Sequence, residues 1–342
     1  MSTTGKRIAV LGTGAQGAGI ASDMAQAGLD VTFIDQWPAN VEAIRARGIE
    51  VRLPDHTTLT PVKAIHLCQV AEVREKFDMV FVVVKAYDTR WACELIRPVL
   101  ADDALVIGLQ NGMTIDDMLD VLGPKHTVGA VIEMASNMFN PGITVRQTLQ
   151  KNSWFTVGGF IPEVQERMPE VVEVLGHAGR VEISEDIRSS KWMKLVGNAA
   201  ELVPSAILDL PLAEAVQVPG MRDFMDQNGR EALRTNVAIG NKILPVFGLT
   251  AVDDPEAYAE QLFDIILSEF SAPDTLTTVL QDWRKGRRAE TDQIQGTILR
   301  AAATVGMPVP ANQRTYEIGM EIENGTNTPG MHNLERLLAP LD

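Results

Sequence analysis

Gly12-Thr13-Gly14-Ala15-Gln16-Gly17 carries three glycines at G-x-G-x-x-G spacing, directly after the apolar run Ile8-Ala-Val-Leu11. On a strand–turn–helix corner that spacing suits a dinucleotide. Gly12 makes the tight turn, Gly14 admits backbone N–H groups to a pyrophosphate, and Gly17 lets helix and strand pack closely. Asp35 closes the second apolar run, 23 residues after Gly12. A carboxylate there binds both ribose hydroxyls of NAD and repels the 2′-phosphate of NADP. NAD is therefore the expected cofactor, with NADP as the alternative if Arg45 and Arg47 fold back to receive the phosphate. Lys85 follows the most strand-like run of the chain, Met79-Val-Phe-Val-Val-Val84, and Asn111 lies in Leu109-Gln-Asn-Gly112, just past another. Ligands of parallel sheets bind outside the carboxyl ends of the strands, where both residues fall. Lys194 and Asn198, four apart on a predicted helix, share one face of it.

The elements that position these residues follow from periodicity. In the first half short apolar runs (8–11, 31–34, 79–84, 104–107, 127–133, 153–158) alternate with helix-period segments at 15–27 and 90–100, the signature of a parallel sheet. Asn140-Pro-Gly142 reads as a turn separating the 127–133 and 153–158 strands. Val181-Glu-Ile183 supplies a last strand, and Ser184 or Asp186 caps the next helix. Beyond residue 184 helical periods dominate, over 186–207, 211–246, 253–268, 274–304 and 310–323. The expected fold is α/β: a Rossmann-type, doubly wound, mostly parallel sheet over residues 1–183, followed by an all-helical substrate and dimerisation domain over 184–342.

Composition narrows the function. Lys+Arg number 30 against 45 Asp+Glu, a net charge of −15 over 342 residues, which argues against nucleic acid and anionic membrane as partners. Cys68 and Cys93 are too few for a disulfide framework, and the five histidines lack metal spacing, so no metal is expected. No apolar run reaches the ~18 residues of a membrane span. The expectation is a cytoplasmic enzyme, with the long apolar-striped helices suggesting a homodimer.

Taken in order, Gly12–Gly17, Val84-Lys85, Leu109-Gln-Asn-Gly112, Trp192-Met-Lys-Leu-Val-Gly-Asn198, Thr277-Thr-Val-Leu-Gln-Asp282, Glu290-Thr-Asp292 and Gly306-Met-Pro-Val-Pro310 resemble the ketopantoate reductase (2-dehydropantoate 2-reductase) family over almost the whole chain. The resemblance implies an NAD(P)-dependent oxidoreductase that interconverts a small 2-oxo acid, or related ketone, with its hydroxy form. It implies Lys194 as general acid in reduction and base in oxidation, with Glu290 contacting the substrate hydroxyl or that lysine. Asn111 and Asn198 would orient cofactor and substrate, and Thr278 would stand where a serine commonly meets the substrate carboxylate. The reaction agrees with this, because hydride arriving at a ketone builds negative charge on oxygen that a nearby cation stabilises and protonates.

The chain departs from the family pattern at four places. A second asparagine, four residues beyond the first, is replaced by Leu202, preceded by Glu201. The serine is Thr278, Asp209 stands for an asparagine, and Asp35 occupies a position that tends to be basic in NADP-using members. These departures favour a divergent, NAD-preferring member over 2-dehydropantoate 2-reductase proper, which uses NADPH. An opine or imine dehydrogenase and a non-catalytic NAD-sensing protein are the remaining alternatives. The first would employ a His–Asp pair, and the second has no need of Lys194, Asn198 and Glu290 together.

Overall fold

The computed structural model describes residues 5–249, 254 and 257–341, and the chain divides into two units. One runs to Gln110 and resumes over Thr114–Ile187; the other takes Asn111–Met113 and the chain from Arg188 onward.

The first unit holds β1 (Arg7–Leu11), β2 (Asp30–Asp35), β3 (Ile49–Arg52), β4 (Thr57–Thr60), β5 (Lys63–His66), β6 (Phe77–Val82), β7 (Leu100–Gly108), β8 (Thr127–Glu133), β9 (Ser136–Asn140), β10 (Ile143–Arg146), β11 (Trp154–Gly159) and β12 (Arg180–Ile183). Eight of them form one sheet in the order β12-β11-β8-β7-β6-β1-β2-β5, parallel throughout except where β11 meets β8. This is the Rossmann-type doubly wound sheet. Strand order reverses on either side of β1, so the switch point falls where β1 and β6 end side by side. Alternation sends successive side chains to opposite faces. Ile8, Val10, Phe33, Met79 and Phe81 enter one apolar cluster, while Ala9, Leu11, Ile34, Val80 and Val82 enter the other. With both faces covered by apolar packing, the central strands read as unbroken apolar runs rather than alternating ones. The helices of this unit are α1 (Ala15–Gln26), α2 (Pro38–Arg47), α3 (Thr89–Ile96), α4 (Ile115–Leu122), α5 (Pro162–Gln165) and α6 (Met168–Leu175).

A second sheet, β4-β3-β10-β9, was not expected. Its strands are only four or five residues long, alternating as in Ile49-Glu-Val-Arg52 or largely polar as in Thr57-Thr-Leu-Thr60, so no apolar run announces them. Asn140-Pro-Gly142 is a turn between β8 and β11 as expected, and it is the hairpin joining β9 to β10 of this sheet. Gly142, at φ +73, would bring a Cβ to 3.0 Å from the Ala43 methyl, and its N–H donates to Asn40 Oδ1 at 2.8 Å. The fully buried Arg146 of β10 ties this sheet inward, pairing with Asp23 and donating to Ser153 Oγ at 2.7 Å and the Ala178 carbonyl at 2.6 Å.

Lys6 and Arg167 both donate to Glu170 of α6. The Arg167 hydrogen bonds, with Lys6 assisting, hold its carboxyl down at about 2 against an ordinary value of 4.5. A depressed carboxylate stabilises fully above its unfolded value and loses that contribution as pH falls toward the folded one. Glu170→Gln is therefore expected to lower the thermal midpoint at neutral pH, with the gap to the parent closing between about pH 4.5 and 2. A gap that does not narrow on acidification would contradict this.

In the second unit the described residues form α7 (Ile187–Ile207), α8 (Leu212–Ala215), α9 (Met221–Ala238), α10 (Tyr258–Ile265), α11 (Thr278–Arg284), α12 (Thr297–Thr304), α13 (Pro310–Glu323) and α14 (Leu334–Leu337), with π turns at Ile266–Phe270 and Asp292–Gly296. The expected helix over 211–246 is broken at Gly220, in the left-handed region at φ +84, and stops before Gly240 at φ +92. That over 274–304 is interrupted at Gly286, φ +64; apolar periodicity alone does not register such breaks. Of the segment 253–268, residues 253, 255 and 256 lie outside those described. No helix among the described residues is long and apolar enough to cross a membrane.

Buried Glu231 of α9 caps α13. Its carboxylate accepts the backbone N–H groups of Ala311 and Asn312, each at 3.0 Å, and the Asn312 amide at 2.9 Å. A negative charge against a helix N-terminus satisfies orphan donors and opposes the helix dipole. Glu231→Gln turns an amide N–H₂ toward those donors and is expected to cost about 1.5–3 kcal/mol in urea unfolding. An unchanged urea midpoint would show that the cap contributes nothing.

Candidate active site

The glycine loop leaves β1 at the switch point. Gly12 adopts φ +96, and a Cβ there would lie 2.7 Å from the Val84 nitrogen. A Cβ on Gly17 would overlap the Gly12 carbonyl oxygen at 2.0 Å. Both positions require glycine for the close crossing of loop, helix and the β6 exit. At Gly14, the N-cap of α1, a Cβ would meet nothing within 4 Å. The open approach is on the side of the helix N-terminus, where backbone donors and the dipole favour an anion. Thr13 and Ala15 flank that glycine. The Gln16 amide is committed to the Met134 carbonyl at 3.1 Å, so Gln16 offers the loop its backbone.

Asp35, 5% exposed at the end of β2, is held in place from three directions. It accepts from Thr13 Oγ1 at 2.7 Å, the Trp37 N–H at 2.8 Å and Asn40 Nδ2 at 3.2 Å. Arg45 and Arg47 do not fold back toward it. Arg45 donates to the Ala64 carbonyl and Glu42, and Arg47 to the Pro141 carbonyl. Lys85 lies beyond β6, where its carbonyl accepts the Asp88 N–H at 2.9 Å. Gln110 bridges this exit to that of β7, donating to the Val84 carbonyl at 2.9 Å and Thr89 Oγ1 at 2.8 Å.

The second cluster is built on α7. Lys194 and Asn198 are buried, as are Glu201 and Leu202 further along the helix. Asn111 belongs to this unit, and Asn198 Nδ2 donates to its Oδ1 at 3.2 Å. The π turn Asp292–Gly296 packs here too. Gln295 donates to the Ala199 carbonyl of α7 at 3.1 Å, and a Cβ on Gly112 would come within 3.0 Å of the Gln293 carbonyl oxygen. Glu290, 4% exposed, stands just ahead of that turn, its carbonyl accepting the Ile294 N–H. Thr277 Oγ1 donates to the Leu202 carbonyl at 3.1 Å, which sets the start of α11, and with it Thr278, beside α7. Asn198 Oδ1 and Thr278 Oγ1 are buried with no hydrogen-bond partner among the described residues. Buried polar atoms of that kind are costly unless a water or ligand completes them.

Two residues here, Lys191 and Phe247, were missed by sequence reasoning, and Glu201 was read only as a departure from the family pattern. Lys191, one turn before Lys194, is buried, and desolvation pushes its ammonium down to about 7. Glu201 places its carboxylate 3.7 Å from the Lys194 ammonium. Phe247, from the loop after α9, lies with its ring centroid 5.3 Å from that ammonium and stacks on Phe270 at 5.6 Å. Phe247 has φ +58, a conformation rare for a bulky residue and concentrated at functional sites. Its loop is anchored by Tyr258, whose hydroxyl accepts the Val246 N–H and donates to the Leu244 carbonyl. Asp209 is different: exposed and paired with Arg284 at 2.9 Å, it takes no part in this cluster. Chemically, α7 presents a buried cation, a carboxylate, an amide and an apolar wall, a set able to hold a small polar molecule and move a proton.

Comparison with known proteins agrees over both units. Residues 8–159 match the family described as Ketopantoate reductase PanE/ApbA, and residues 186–323 match its C-terminal counterpart. A 2-dehydropantoate 2-reductase of Mesorhizobium japonicum is 27% identical over 326 residues, covering 89% of this chain and 94% of the relative. The crystal structure of a PanE/ApbA family ketopantoate reductase from Ralstonia eutropha JMP134 superposes with a TM-score of 0.79 at 26% identity, over 93% of this chain and 99% of the other. A D-mandelate dehydrogenase, solved with NADH and anilino(oxo)acetate, shares the fold with a TM-score of 0.83 at 18% identity, over 94% and 100% of the two chains.

Proposed function

The chain belongs to the ketopantoate reductase family, an enzyme family of NAD(P)-dependent oxidoreductases acting on CH–OH and ketone groups, and from that premise we propose that it interconverts a 2-oxo acid and its 2-hydroxy acid with NAD as the preferred cofactor. The observation that carries the reading is the α7 cluster. A buried lysine stands four residues before an asparagine that is hydrogen-bonded to Asn111. Gly12–Gly17 and Lys85 would hold the dinucleotide, with Asp35 on its ribose. The fit rests on the crowded Gly12 and Gly17, which exclude a side chain, and on the open approach at Gly14. When bound, NADH supplies the hydride. Lys194 donates the proton that the carbonyl oxygen takes up, and as a neutral amine it accepts the hydroxyl proton in the reverse direction. Asn111 and Asn198 orient the carbonyl, while Thr278 and Glu290 hold the carboxylate and hydroxyl.

Leu202 and Phe247 favour an apolar substituent on the substrate over a hydroxylated one, because a site lacking the hydrogen-bonding partner gains little from the extra hydroxyl. The related 2-dehydropantoate 2-reductases support a second reading, reduction of 2-dehydropantoate with NADPH. The test is nicotinamide oxidation, with NADH and NADPH, against 2-dehydropantoate and a panel of branched and aromatic 2-oxo acids. NAD-linked turnover of an apolar 2-oxo acid supports the first reading; efficient NADPH-linked reduction of 2-dehydropantoate establishes the second. We also propose a homodimer built through the helical domain, which light scattering reads directly.

A further inference from the structure

Lys194 and Glu201 are seven residues apart on α7, about 10.5 Å along a helix axis. They meet only because both side chains extend along the helix toward one another, bringing Nζ to 3.7 Å from Oε1. Lysine side chains on a helix ordinarily lean toward its N-terminus, whereas this one reaches the other way. Both groups are buried, at 7% and 6% exposure. An uncompensated buried ion is strongly unfavourable, so each charge makes the other tolerable. Phe247 covers the same ammonium with its ring, and the stack on Phe270 adds apolar surface on that side. The carboxylate therefore acts where water screens it least.

We propose that Glu201 is a positioning residue for the reaction: it anchors the Lys194 ammonium and keeps it protonated until the carbonyl oxygen claims the proton. The inference rests on the reading of Lys194 as the general acid. During reduction hydride reaches the carbonyl carbon, the proton leaves Nζ for the oxygen, and the neutral amine regains a proton from solvent before the next turnover. Glu201 is an ion throughout and exchanges no proton with substrate.

Other ionisable groups of the same unit are placed differently. Lys191 lies one turn earlier on α7, and burial pushes its ammonium down to about 7, so it is largely neutral over an alkaline limb. Asp226 of α9 is paired with Arg222 at 2.7 Å, and Glu231 caps α13. Asp282 of α11 and Glu290 ahead of the π turn are further buried carboxylates of this unit. Replacing Glu201 does not remove every carboxylate of the unit, and the expected change is a shift of titration, not its disappearance.

The experiment compares Glu201→Gln and Glu201→Asp with the parent and with Lys194→Met in the full-length enzyme. It follows the reduction of a 2-oxo acid across pH, resolving kcat from KM, together with NADH affinity by fluorescence and thermal midpoints without cofactor. An opposite charge at this range supports the protonated form by about 1–3 pH units. The alkaline limb of kcat is accordingly expected to move down by about that amount in Glu201→Gln, with kcat reduced about tenfold or more above the displaced limb. KM and NADH affinity should stay close to the parent. Glu201→Asp, which keeps the charge one methylene farther away, should move the limb less, and it carries the test if Glu201→Gln does not fold. The thermal midpoints of Lys194→Met, Glu201→Gln and the double variant should be non-additive, since the two residues share one interaction. Lys194→Met inactive with Glu201→Gln unchanged in kcat and in its limb would overturn the role of Glu201 alone. Full turnover by Lys194→Met would overturn the reading of Lys194 and, with it, this one.

Discussion

Lys194→Met is expected to lower the rate of 2-oxo acid reduction by ~10²–10⁴-fold, the usual contribution of general acid assistance, while NADH binding remains intact. Methionine keeps the length and apolar stem of lysine but supplies neither charge nor proton, so the forming alkoxide must wait for water. The glycine loop and Asp35, proposed to hold the dinucleotide, belong to the other structural unit and are untouched. Two controls make the result interpretable. The substitution leaves Glu201 buried beside an apolar group, a loss that by itself costs stability; Lys194→Met combined with Glu201→Gln removes that penalty and should be equally inactive. Lys194→Arg separates charge from proton transfer, because guanidinium keeps the positive charge but does not release its proton. If Lys194 acts only as a fixed charge, arginine retains much of the rate. If it is the acid, arginine is nearly as slow as methionine. Parent-like rates in Lys194→Met would remove the lysine from the chemistry altogether.

How far the sequence reveals this arrangement depends on the range of the interactions involved. The dinucleotide corner is legible because its physics is local. Gly12 and Gly17 meet the backbone of the same turn and of the neighbouring strand exit, so the spacing of a few residues carries the geometry. Most strands of the large sheet are legible for a related reason: burial on both faces forces continuous apolar runs such as Met79–Val82, whereas the edge strand β5, Lys63-Ala-Ile-His66, is partly exposed, carries no such run and was not expected. The small sheet is not legible, since strands such as Thr57–Thr60 are largely exposed and polar and take their order in a sheet completed far along the chain by β10 and β9.

The lysine cluster divides along the same line. Lys194 and Asn198 stand out because a helix places positions four apart on one face. Glu201 was visible only as a departure from a family pattern, and its meeting with Lys194 depends on side-chain extension that spacing does not dictate. Phe247 reaches the same ammonium from another part of the chain, through a left-handed backbone that no propensity predicts. The two π turns behave similarly. One brings Phe270 onto Phe247, and the other sets Gln293 against Gly112 and Gln295 on α7. Such turns recur at functional sites, yet in sequence each is an ordinary stretch of helical period. Tertiary packing chooses the wider turn, so its position emerges only with the fold.

The second large effect concerns the cofactor. NADH is expected to outperform NADPH in kcat/KM by about two to three decades, and Asp35→Asn to remove most of that gap by improving NADPH and weakening NADH. A carboxylate facing the ribose 2′-phosphate near a protein surface meets a repulsion on the order of 4 kcal/mol per charge pair, and each 1.4 kcal/mol is about tenfold. Three features favour the carboxylate's staying where it repels. Thr13, the Trp37 N–H and Asn40 fix both of its oxygens, so turning aside would break those bonds. Arg45 is spent on Ala64 and Glu42, and Arg47 on Pro141, so neither stands ready to neutralise a phosphate. The glycine corner is independent of the choice, which isolates the effect in one side chain. Asparagine is the informative replacement, since it preserves shape and can still accept the Trp37 N–H while discarding the charge. Its Nδ2 would oppose the Asn40 amide, so some loss with NADH accompanies the gain with NADPH. Initial rates at subsaturating concentrations of each nucleotide read the ratio. A parent enzyme that uses NADPH as well as NADH would show that the carboxylate yields to the phosphate, and would return the chain to the biosynthetic reading of its relatives.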